Sequence, residues 1–238
     1  MDRECVKVGL VALNQNLPAD PRSKVCWDFS LDNMKKCAEC TQLFLDILGV
    51  VAMVDGDKLQ SKQPANYLEQ NRDYNGWTHD VNRNVVLVWD TFGKTVDCVV
   101  NAPGSFHDST SSWWGGIYDH FENLPDGCKC CCDSAQFYTK GKLDGKLVKT
   151  KEEFKEGLIR SSYDQSLTHL RQCSEWGNNT WIGGFRRLRT PLPTDNQRRG
   201  LIMWSSIYLH NWRTETMERN QILTCFEHIN EEEVELDD

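Results

Sequence analysis

The chain has 238 residues, with 35 acidic and 27 basic side chains, a formal net charge of −8 and 11 cysteines. This length suits one large domain or two small ones and is enough for a substantial hydrophobic core. The sequence has no run of 18 or more apolar residues and opens without a signal pattern, so we expect a soluble, intracellular protein with no membrane partner. Because that compartment is reducing, we interpret the cysteines as thiols rather than as a disulfide framework.

Charge is distributed unevenly along the chain. The last eight residues, 231–238, carry six acids and no base, and without them the net charge would be −2 instead of −8. Residues 140–199 carry 13 Lys or Arg against 7 acids. Such a basic surface suits a polyanion such as nucleic acid, because binding to phosphates releases counterions. A solvated helix surface would have the same composition.

The first predicted elements precede residue 56. The stretch to Phe29 contains two prolines and predicts no element, whereas Ser30 is a good N-cap for apolar positions with helical spacing over 31–48. The apolar run 50–54 predicts a buried strand that ends at Asp55 and the turn-forming Gly56.

Further strands and helices follow. Residues 85–89 and 95–100 flank a glycine-containing loop and predict a β-hairpin, and the cysteine-rich run 128–132 predicts a buried strand that ends at Asp133. Four helix starts are predicted from their capping residues, which are Asp108 before 109–121, Thr150, Ser162 and Asp195. Strands clustered between residues 50 and 133, with helices on either side in sequence, predict an α/β or α+β domain.

Three acids stand out by position. Asp55 and Asp133 each close an apolar run, and Glu175 lies one helical turn after Arg171. Two carboxylates at 4 Å repel by about 4 kcal/mol at an effective dielectric of 20, so their convergence at a sheet edge would require a proton or a cation. Oxygen ligands suit Mg²⁺ or Mn²⁺, and two such ions can act on a phosphodiester. Simple turn residues, or the paired carboxylates of a glycosidase, fit the same spacing.

The segment NAPGSFHDS, residues 101–109, places a Pro-Gly turn, His107 and Asp108 after a strand. Asp108 can cap the next helix while His107 lies on the surface. Alternatively, the turn holds one of these two side chains beside the acids, where it orients a ligand or a nucleophile.

In chain order, these motifs resemble the nuclease domain of Harbinger-type DDE transposases over roughly residues 48–214. The resemblance rests on VAMVDGDKL, YNGWTHDVNRNVVLVWDTFGKTVDCVVNAPGSFHDS, CCDS, YDQSLTHLRQCSEWG, RRLRTPLP and IYLHNW. It implies an α/β, RNase H-like fold with a mixed central β-sheet flanked by helices. It also implies Mg²⁺-dependent DNA strand cleavage and joining, double-stranded DNA of transposon ends as the partner, and a nuclear location.

Carried over by motif, the resemblance assigns catalysis and metal binding to Asp55, Asp133 and Glu175, which would hold two Mg²⁺ or Mn²⁺ ions. One ion would activate a water or a 3′-hydroxyl, and the other would stabilise the leaving 3′ oxygen. The side chains expected to support and orient these ligands are Asp57, His107, Asp108 and Arg171. The arginines expected to contact DNA phosphates are Arg186, Arg187, Arg189, Arg198 and Arg199.

The expected organisation has three parts. Residues 1–47 would form an N-terminal segment with one helix and no complete helix-turn-helix, residues 48–214 the nuclease domain, and residues 215–238 an acidic, disordered tail. This organisation leaves open a separate DNA-binding partner protein and an oligomer.

Two other functions remain as alternatives. A domesticated or degenerate transposase copy would keep the fold and act as a non-catalytic DNA- or protein-binding partner. The sequence departs from the family pattern after Glu175, where residues 176–179 replace a basic helix. A zinc module would use Cys128, Cys130, Cys131 and Cys132, with Cys37 and Cys40 as further candidates. Adjacent residues of a strand point to opposite faces, which makes such a run a poor tetrahedral site.

Overall fold

The structure is a computed structural model that describes residues 3–45, 47–133, 143, 145–149, 162–217 and 220–222. Its helices are α1 (Arg3–Asn16), α2 (Leu31–Leu45), α3 (Tyr67–Asp73), α4 (Asp108–Trp114), α5 (Ile117–Glu122), α6 (Ser162–Gly184) and α7 (Asn196–Met217). Its strands are β1 (Val50–Gln60), β2 (Tyr74–Asn75), β3 (Asp80–Asp90), β4 (Thr95–Pro103), β5 (Lys129–Cys132) and β6 (Leu147–Lys149). Two 3-10 turns cover Leu17–Ala19 and Arg186–Arg189.

The strands form one mixed sheet in the order β2-β3-β1-β5-β6, in which β4 also pairs with β3. β1 is antiparallel to β3 and parallel to β5, and β5 is parallel to β6. The predicted hairpin is β3–β4, which turns at Gly93 with a φ of 80°. This positive φ suits glycine, which has no Cβ to clash.

Helices cover both faces of the sheet. On one face, Met53 of β1 belongs to a buried cluster with Leu170 of α6 and Ile207 of α7. On the other face, Val54 belongs to a second cluster with Met34 of α2 and with α5. Full burial of each such side chain stabilises the fold by about 1.5 to 3 kcal/mol. The predicted α/β class, with a mixed central sheet flanked by helices, is confirmed.

The N-terminal segment differs from the prediction of one helix, because both α1 and α2 lie within it. The apolar residues Val6, Leu10 and Leu13 recur at helical spacing and face α7 across an apolar groove. Asn14 fixes the contact, since its Nδ2 donates to the carbonyl oxygen of Leu201 at 3.0 Å and to the Oγ of Ser205 at 2.6 Å. Tertiary packing against α7 therefore stabilises a helix that was not predicted, because the stretch to Phe29 contains two prolines.

Strand β1 does not end at Asp55, as the sequence had indicated. It pairs with β3 continuously from Ala52, opposite Asp90, to Gln60, opposite Asn82. Backbone pairing with β3 therefore outweighs the turn preference of Gly56, and Asp55 lies in the middle of the strand.

The helix predicted over 109–121 is two short helices, α4 and α5, because Gly116 adopts a φ of 81° between them. The N-cap of α4 is His107 rather than Asp108. Asp195 does cap α7, since its Oδ1 accepts from the backbone N of Arg198 at 2.7 Å.

Some of the predicted elements lie in parts of the chain that the structure does not describe. The helix start at Thr150 and residues 223–238 of the predicted tail lie outside the described residues. Residues 215–217 belong to the last turn of α7 and not to a tail, because the helix continues to Met217. None of the helices in the described ranges is both long enough and apolar enough to cross a membrane.

Candidate metal centre

Strand register brings Asp55 and Asp133 together. β1 and β5 run parallel, with Val54 opposite Cys132, so the next residue along each strand is one of the two acids. Asp133 directly follows β5, whereas Asp55 lies within β1, which continues beyond it. The two predicted acids therefore occupy adjacent positions at the carboxyl end of a parallel strand pair.

Asp108 reaches the same region because Gly56 has no side chain. A Cβ at Gly56 would collide with the Asp108 carboxylate. Asn84 of β3 holds that carboxylate, since its Nδ2 lies 3.0 Å from Asp108 Oδ1 and 2.8 Å from Ser111 Oγ. Lys58 Nζ in turn donates to Asn84 Oδ1 at 3.3 Å, which fixes the orientation of the amide.

Helix α6 supplies the third acid. It packs on β1 through its apolar side, and Glu175 is half-buried. Arg171, one turn earlier, donates from Nη1 to Glu175 Oε1 at 2.7 Å. The predicted pairing of Arg171 with Glu175 is present, although this partly exposed ion pair contributes little to stability.

The electrostatics show that these carboxylates act on one another. Burial and the charge of Asp133 raise the pKa of Asp55 to about 8, with smaller contributions from Asp108 and Glu175. Burial also raises the pKa of Asp57, and Asp108 adds to that shift. A raised carboxyl pKa means that the negative form lacks compensating charge, which is the condition that a bound cation relieves.

The carboxylates of this region have the chemistry of a divalent-cation site, but their side chains are not arranged as one. Within the described part of the chain, no group of three or more His, Cys, Asp or Glu side chains is arranged to hold a metal ion. Carboxylate oxygens are nevertheless the ligands that Mg²⁺ and Mn²⁺ prefer. A cation would also remove the repulsion that raises the pKa of Asp55. The residues fit such an ion by their chemistry.

Asp57 and His107 were also predicted to support the metal ligands. The Oδ1 of Asp57 accepts from the backbone N of Lys58 at 2.6 Å, and Asp57 lies within reach of the charge on Asp108. His107 is exposed at the start of α4, where its carbonyl oxygen accepts from the backbone N of Ser111 at 2.9 Å. A contribution of His107 to the orientation of a ligand stays a prediction.

The predicted phosphate-binding arginines divide into exposed and buried groups. The exposed members lie on the 3-10 turn and are Arg186, Arg187 and Arg189. Arg187 Nη1 donates to Thr190 Oγ1 at 2.6 Å, and Arg189 donates to the carbonyl oxygen of Gly183. The segment that follows the turn pairs with the end of β1, since the backbone N of Leu192 donates to the carbonyl oxygen of Gln60 at 2.8 Å. This pairing attaches the basic turn to the strand that carries Asp55.

Arg199 does not fit the prediction of a DNA contact. Its side chain is 1% exposed. The guanidinium donates to Asn101 Oδ1, to Asn196 Oδ1 at 2.9 Å and to the carbonyl oxygen of Pro193 at 2.9 Å. These contacts hold the start of α7 against β4, so Arg199 is structural. Arg198 is half-buried beside Arg187, and its contact with DNA stays a prediction.

The cysteine run does not form a zinc site in the described residues. Cys131 packs in the cluster on the α6 face, whereas Cys130 and Cys132 pack in the cluster on the opposite face. Burial raises the pKa of the Cys130 and Cys131 thiols, which disfavours the thiolate that zinc requires. The run is core strand.

Two amides of this site were not identified from the sequence. Asn84 holds Asp108, and Asn178 Nδ2 donates to Asp55 Oδ2 at 3.2 Å. Both asparagines are buried. The only signal available for Asn178 was its position three residues after Glu175, which places the two on one side of a helix.

Comparison with known proteins supports one family. A family model described as DDE superfamily endonuclease matches residues 54–211, about two thirds of the chain. Comparisons with curated proteins and with solved structures gave no match.

Proposed function

Since the chain belongs to the DDE superfamily of endonucleases, we propose that it is a Harbinger-type transposase domain that cleaves and joins DNA strands with two Mg²⁺ or Mn²⁺ ions. Membership of the family gives the RNase H-like fold and DNA as the substrate, and the family generally uses divalent metals. The observation that supports catalysis best is the raised pKa of Asp55, which burial increases most and to which Asp133, Asp108 and Glu175 add.

In this proposal, Asp55, Asp133 and Glu175 hold the ions. Bound ions would supply an activated water or 3′-hydroxyl and stabilise the leaving 3′ oxygen. The chain itself orients the ligands. The backbone N of Gly56 donates to Asp55 Oδ1 at 2.9 Å, and Arg171 holds Glu175.

Asp108 and Asp57 provide further negative charge beside the ligands. Asn84 fixes the carboxylate of Asp108, which raises the pKa of both Asp55 and Asp57. Additional carboxylates increase the attraction of the site for a divalent cation, since each unit of charge interacts more strongly where water is partly excluded.

DNA would lie along the basic turn that follows α6. Arg186, Arg187 and Arg189 are exposed, and the segment after them is paired to the end of β1. Guanidinium contacts to phosphates position a duplex without reading its sequence. Transposon ends are the proposed substrate, and recognition of their sequence is assigned to a DNA-binding partner protein or to a second copy of the chain.

We take residues 48–214 as the nuclease domain and the nucleus as its location. The alternative is a degenerate copy that binds DNA or protein without catalysis. This alternative is favoured by one observation, since within the described residues no group of three or more His, Cys, Asp or Glu side chains is arranged to hold a metal ion.

A plasmid-nicking assay in Mg²⁺ separates the two functions. We expect nicking that requires the metal and that falls about 100-fold or more in Asp133→Asn, as when a group that stabilises transition-state charge is removed. Asp126→Asn is the matched control. Asp126 is fully exposed, and within the described residues its ion-pair partner is Lys146 at 3.6 Å. Nicking without metal dependence, or equal nicking by Asp133→Asn, would reject the enzyme and leave the binding protein.

A further inference from the structure

Asn178 occupies a central position between the hydrophobic core and the candidate metal centre. It lies on α6, three residues after Glu175, and its side chain is 3% exposed. Its Oδ1 accepts from Trp89 Nε1 at 3.0 Å, and its Nδ2 donates to Asp55 Oδ2 at 3.2 Å. One amide therefore connects a core tryptophan on β3 to the acid on β1.

The partner on the core side determines the orientation of this amide. An indole nitrogen can only donate, so the oxygen of Asn178 must face Trp89. The NH₂ group of Asn178 must then face Asp55. If the amide were reversed, two donors would meet at Trp89 and the Asp55 carboxylate would face an oxygen.

Trp89 is itself held in place. Its side chain is fully buried, and the ring of His210 packs edge-on against it with centroids 5.1 Å apart. Gly177 lies against the indole so closely that a Cβ there would be 2.7 Å from Trp89 Cε2. Neither the indole nor the adjacent turn of α6 can shift without disturbing the core.

Asp55 consequently receives a donor at each oxygen. The backbone N of Gly56 donates to Oδ1 at 2.9 Å, and Asn178 donates to Oδ2. A carboxylate offers about four lone-pair sites, so two such bonds fix its plane and leave positions for a cation. The carboxyl group of Asp55 is therefore oriented before any ion binds.

We propose that Asn178 is a positioning residue for metal binding, whose amide is oriented by Trp89 and in turn orients the carboxylate of Asp55. The inference rests on the proposed function, because it names a residue that tunes the same site. It also gives a role to residues 176–179, where the sequence departs from the family pattern. Gly177 lets α6 lie close to Trp89, and this closeness brings the Asn178 side chain within hydrogen-bond distance of the indole.

Loss of the amide should weaken metal binding more than it slows the reaction once metal is bound. Supporting partners of metal ligands typically change metal affinity by about 10- to 100-fold. We expect Asn178→Ala to raise the Mg²⁺ concentration for half-maximal nicking by about 10-fold or more. The rate at saturating Mg²⁺ should change much less, because Asp55, Asp133 and Glu175 are all still present.

Two further variants separate positioning from general damage. Trp89→Phe keeps an aromatic ring but removes the Nε1 donor, so the amide of Asn178 loses the contact that orients it, and we expect a smaller rise in the Mg²⁺ requirement. Asn179→Ala is the matched control, because Asn179 is the next residue of α6 and is exposed. Its Mg²⁺ requirement should equal that of the wild type.

A spectroscopic measurement tests the connection with a readout that does not depend on catalysis. In protein labelled with ¹⁵N-tryptophan, the indole N–H resonance of Trp89, identified by its absence in Trp89→Phe, should shift as Mg²⁺ is added. In Asn178→Ala, this Mg²⁺-dependent shift should be lost or strongly reduced.

The outcomes distinguish failure of the inference from failure of the function. If wild-type protein nicks DNA and depends on Asp55, while Asn178→Ala has an unchanged Mg²⁺ requirement and the Trp89 resonance does not move, the inference alone is overturned. If the wild type neither binds Mg²⁺ nor nicks DNA, both the proposed function and the inference are overturned. A raised Mg²⁺ requirement in Asn178→Ala together with a Trp89 shift supports the inference.

Discussion

Asp73 and Asp55 are two carboxylates of one domain that are withdrawn from water, and the charges around them have opposite signs. Asp73, at the end of α3, is fully buried and accepts from Arg83 Nη2 and, at 3.3 Å, from Arg72 Nε. Asp55, on β1, is half-buried beside Asp133, Asp108 and Glu175, all of which raise its pKa.

In our proposal, this difference separates a charge that stabilises the fold from one that binds a cation. Around Asp73 the chain supplies its own cations, and the attraction of Asp73 limits the lowering of the Arg83 pKa, which burial and Arg199 bring to about 10. Around Asp55 the chain supplies amide donors, and the charges that shift the pKa of Asp55 are all negative. This imbalance supports the proposal that the region binds a positive ligand from outside the chain.

The largest effect is expected at Asp73, whose negative charge is balanced by neighbouring arginines. Asp73→Asn leaves the buried guanidinium of Arg83 without a counter-charge, so we expect the free energy of unfolding to fall by about 3 to 5 kcal/mol. Urea denaturation of the two proteins measures this difference. A loss below about 1 kcal/mol would mean that water or another group already neutralises Arg83.

The same substitution at Asp55 should raise the free energy of unfolding instead of lowering it. Without metal, the folded chain keeps a proton on Asp55 up to a pKa of about 8, whereas the unfolded chain releases it near the ordinary value of 3.8. Stability contributed by this group therefore falls as pH rises from about 4 to about 8 and stays low above that range. We expect Asp55→Asn in EDTA to stabilise the chain by about 2 kcal/mol or more at pH 9 and by much less at pH 5.

This expectation is checked by denaturation at both pH values, with Asp126→Asn as the exposed control. A destabilising Asp55→Asn at pH 9, or an equal gain at both pH values, would show that Asp55 carries no unfavourable charge in the metal-free chain.

A smaller effect is expected from the glycine that lets α6 approach the sheet. Gly177→Ala places a Cβ 2.7 Å from the buried ring of Trp89. Such overpacking costs about 1 to 3 kcal/mol, and the better helix propensity of alanine offsets about 1 kcal/mol. We expect a net loss of about 1 kcal/mol in the free energy of unfolding, together with a weaker response to Mg²⁺ because Asn178 moves away from Asp55.

Gly183→Ala on the same helix is the matched control for thermal or urea denaturation. A Cβ there would meet only the end of the Arg189 side chain, at 3.3 Å, which can move. We expect between no change and a gain of about 1 kcal/mol. If both substitutions have the same effect, the contact between Gly177 and Trp89 does not position α6.

The sequence was informative where a motif is continuous and uninformative where partners are distant. The parallel register that joins Asp55 to Asp133 follows from two apolar runs that are each followed by an acid, and these runs are visible in the sequence. The bond between Asn178 and Asp55 spans 123 positions, and no local pattern indicates it. The close approach of Asp108 depends on a glycine that local rules assign to a turn.

Local rules also failed where tertiary packing decides the outcome. Helix α1 forms because its apolar side packs on α7, and two nearby prolines were a weaker influence than that contact. Arg199 was indistinguishable by charge from its exposed neighbours, and only the structure shows that its guanidinium is used by Asn101 and Asn196.

Calorimetric titration of the metal-free protein with Mn²⁺ tests the central claim most directly. We expect the wild type to bind the ion, and Asp55→Asn, Asp133→Asn and Glu175→Gln each to bind it at least about 10-fold more weakly, while Asp126→Asn binds as the wild type does. Absence of binding by the wild type, or binding of equal strength by Asp55→Asn, would contradict a cation site at these carboxylates.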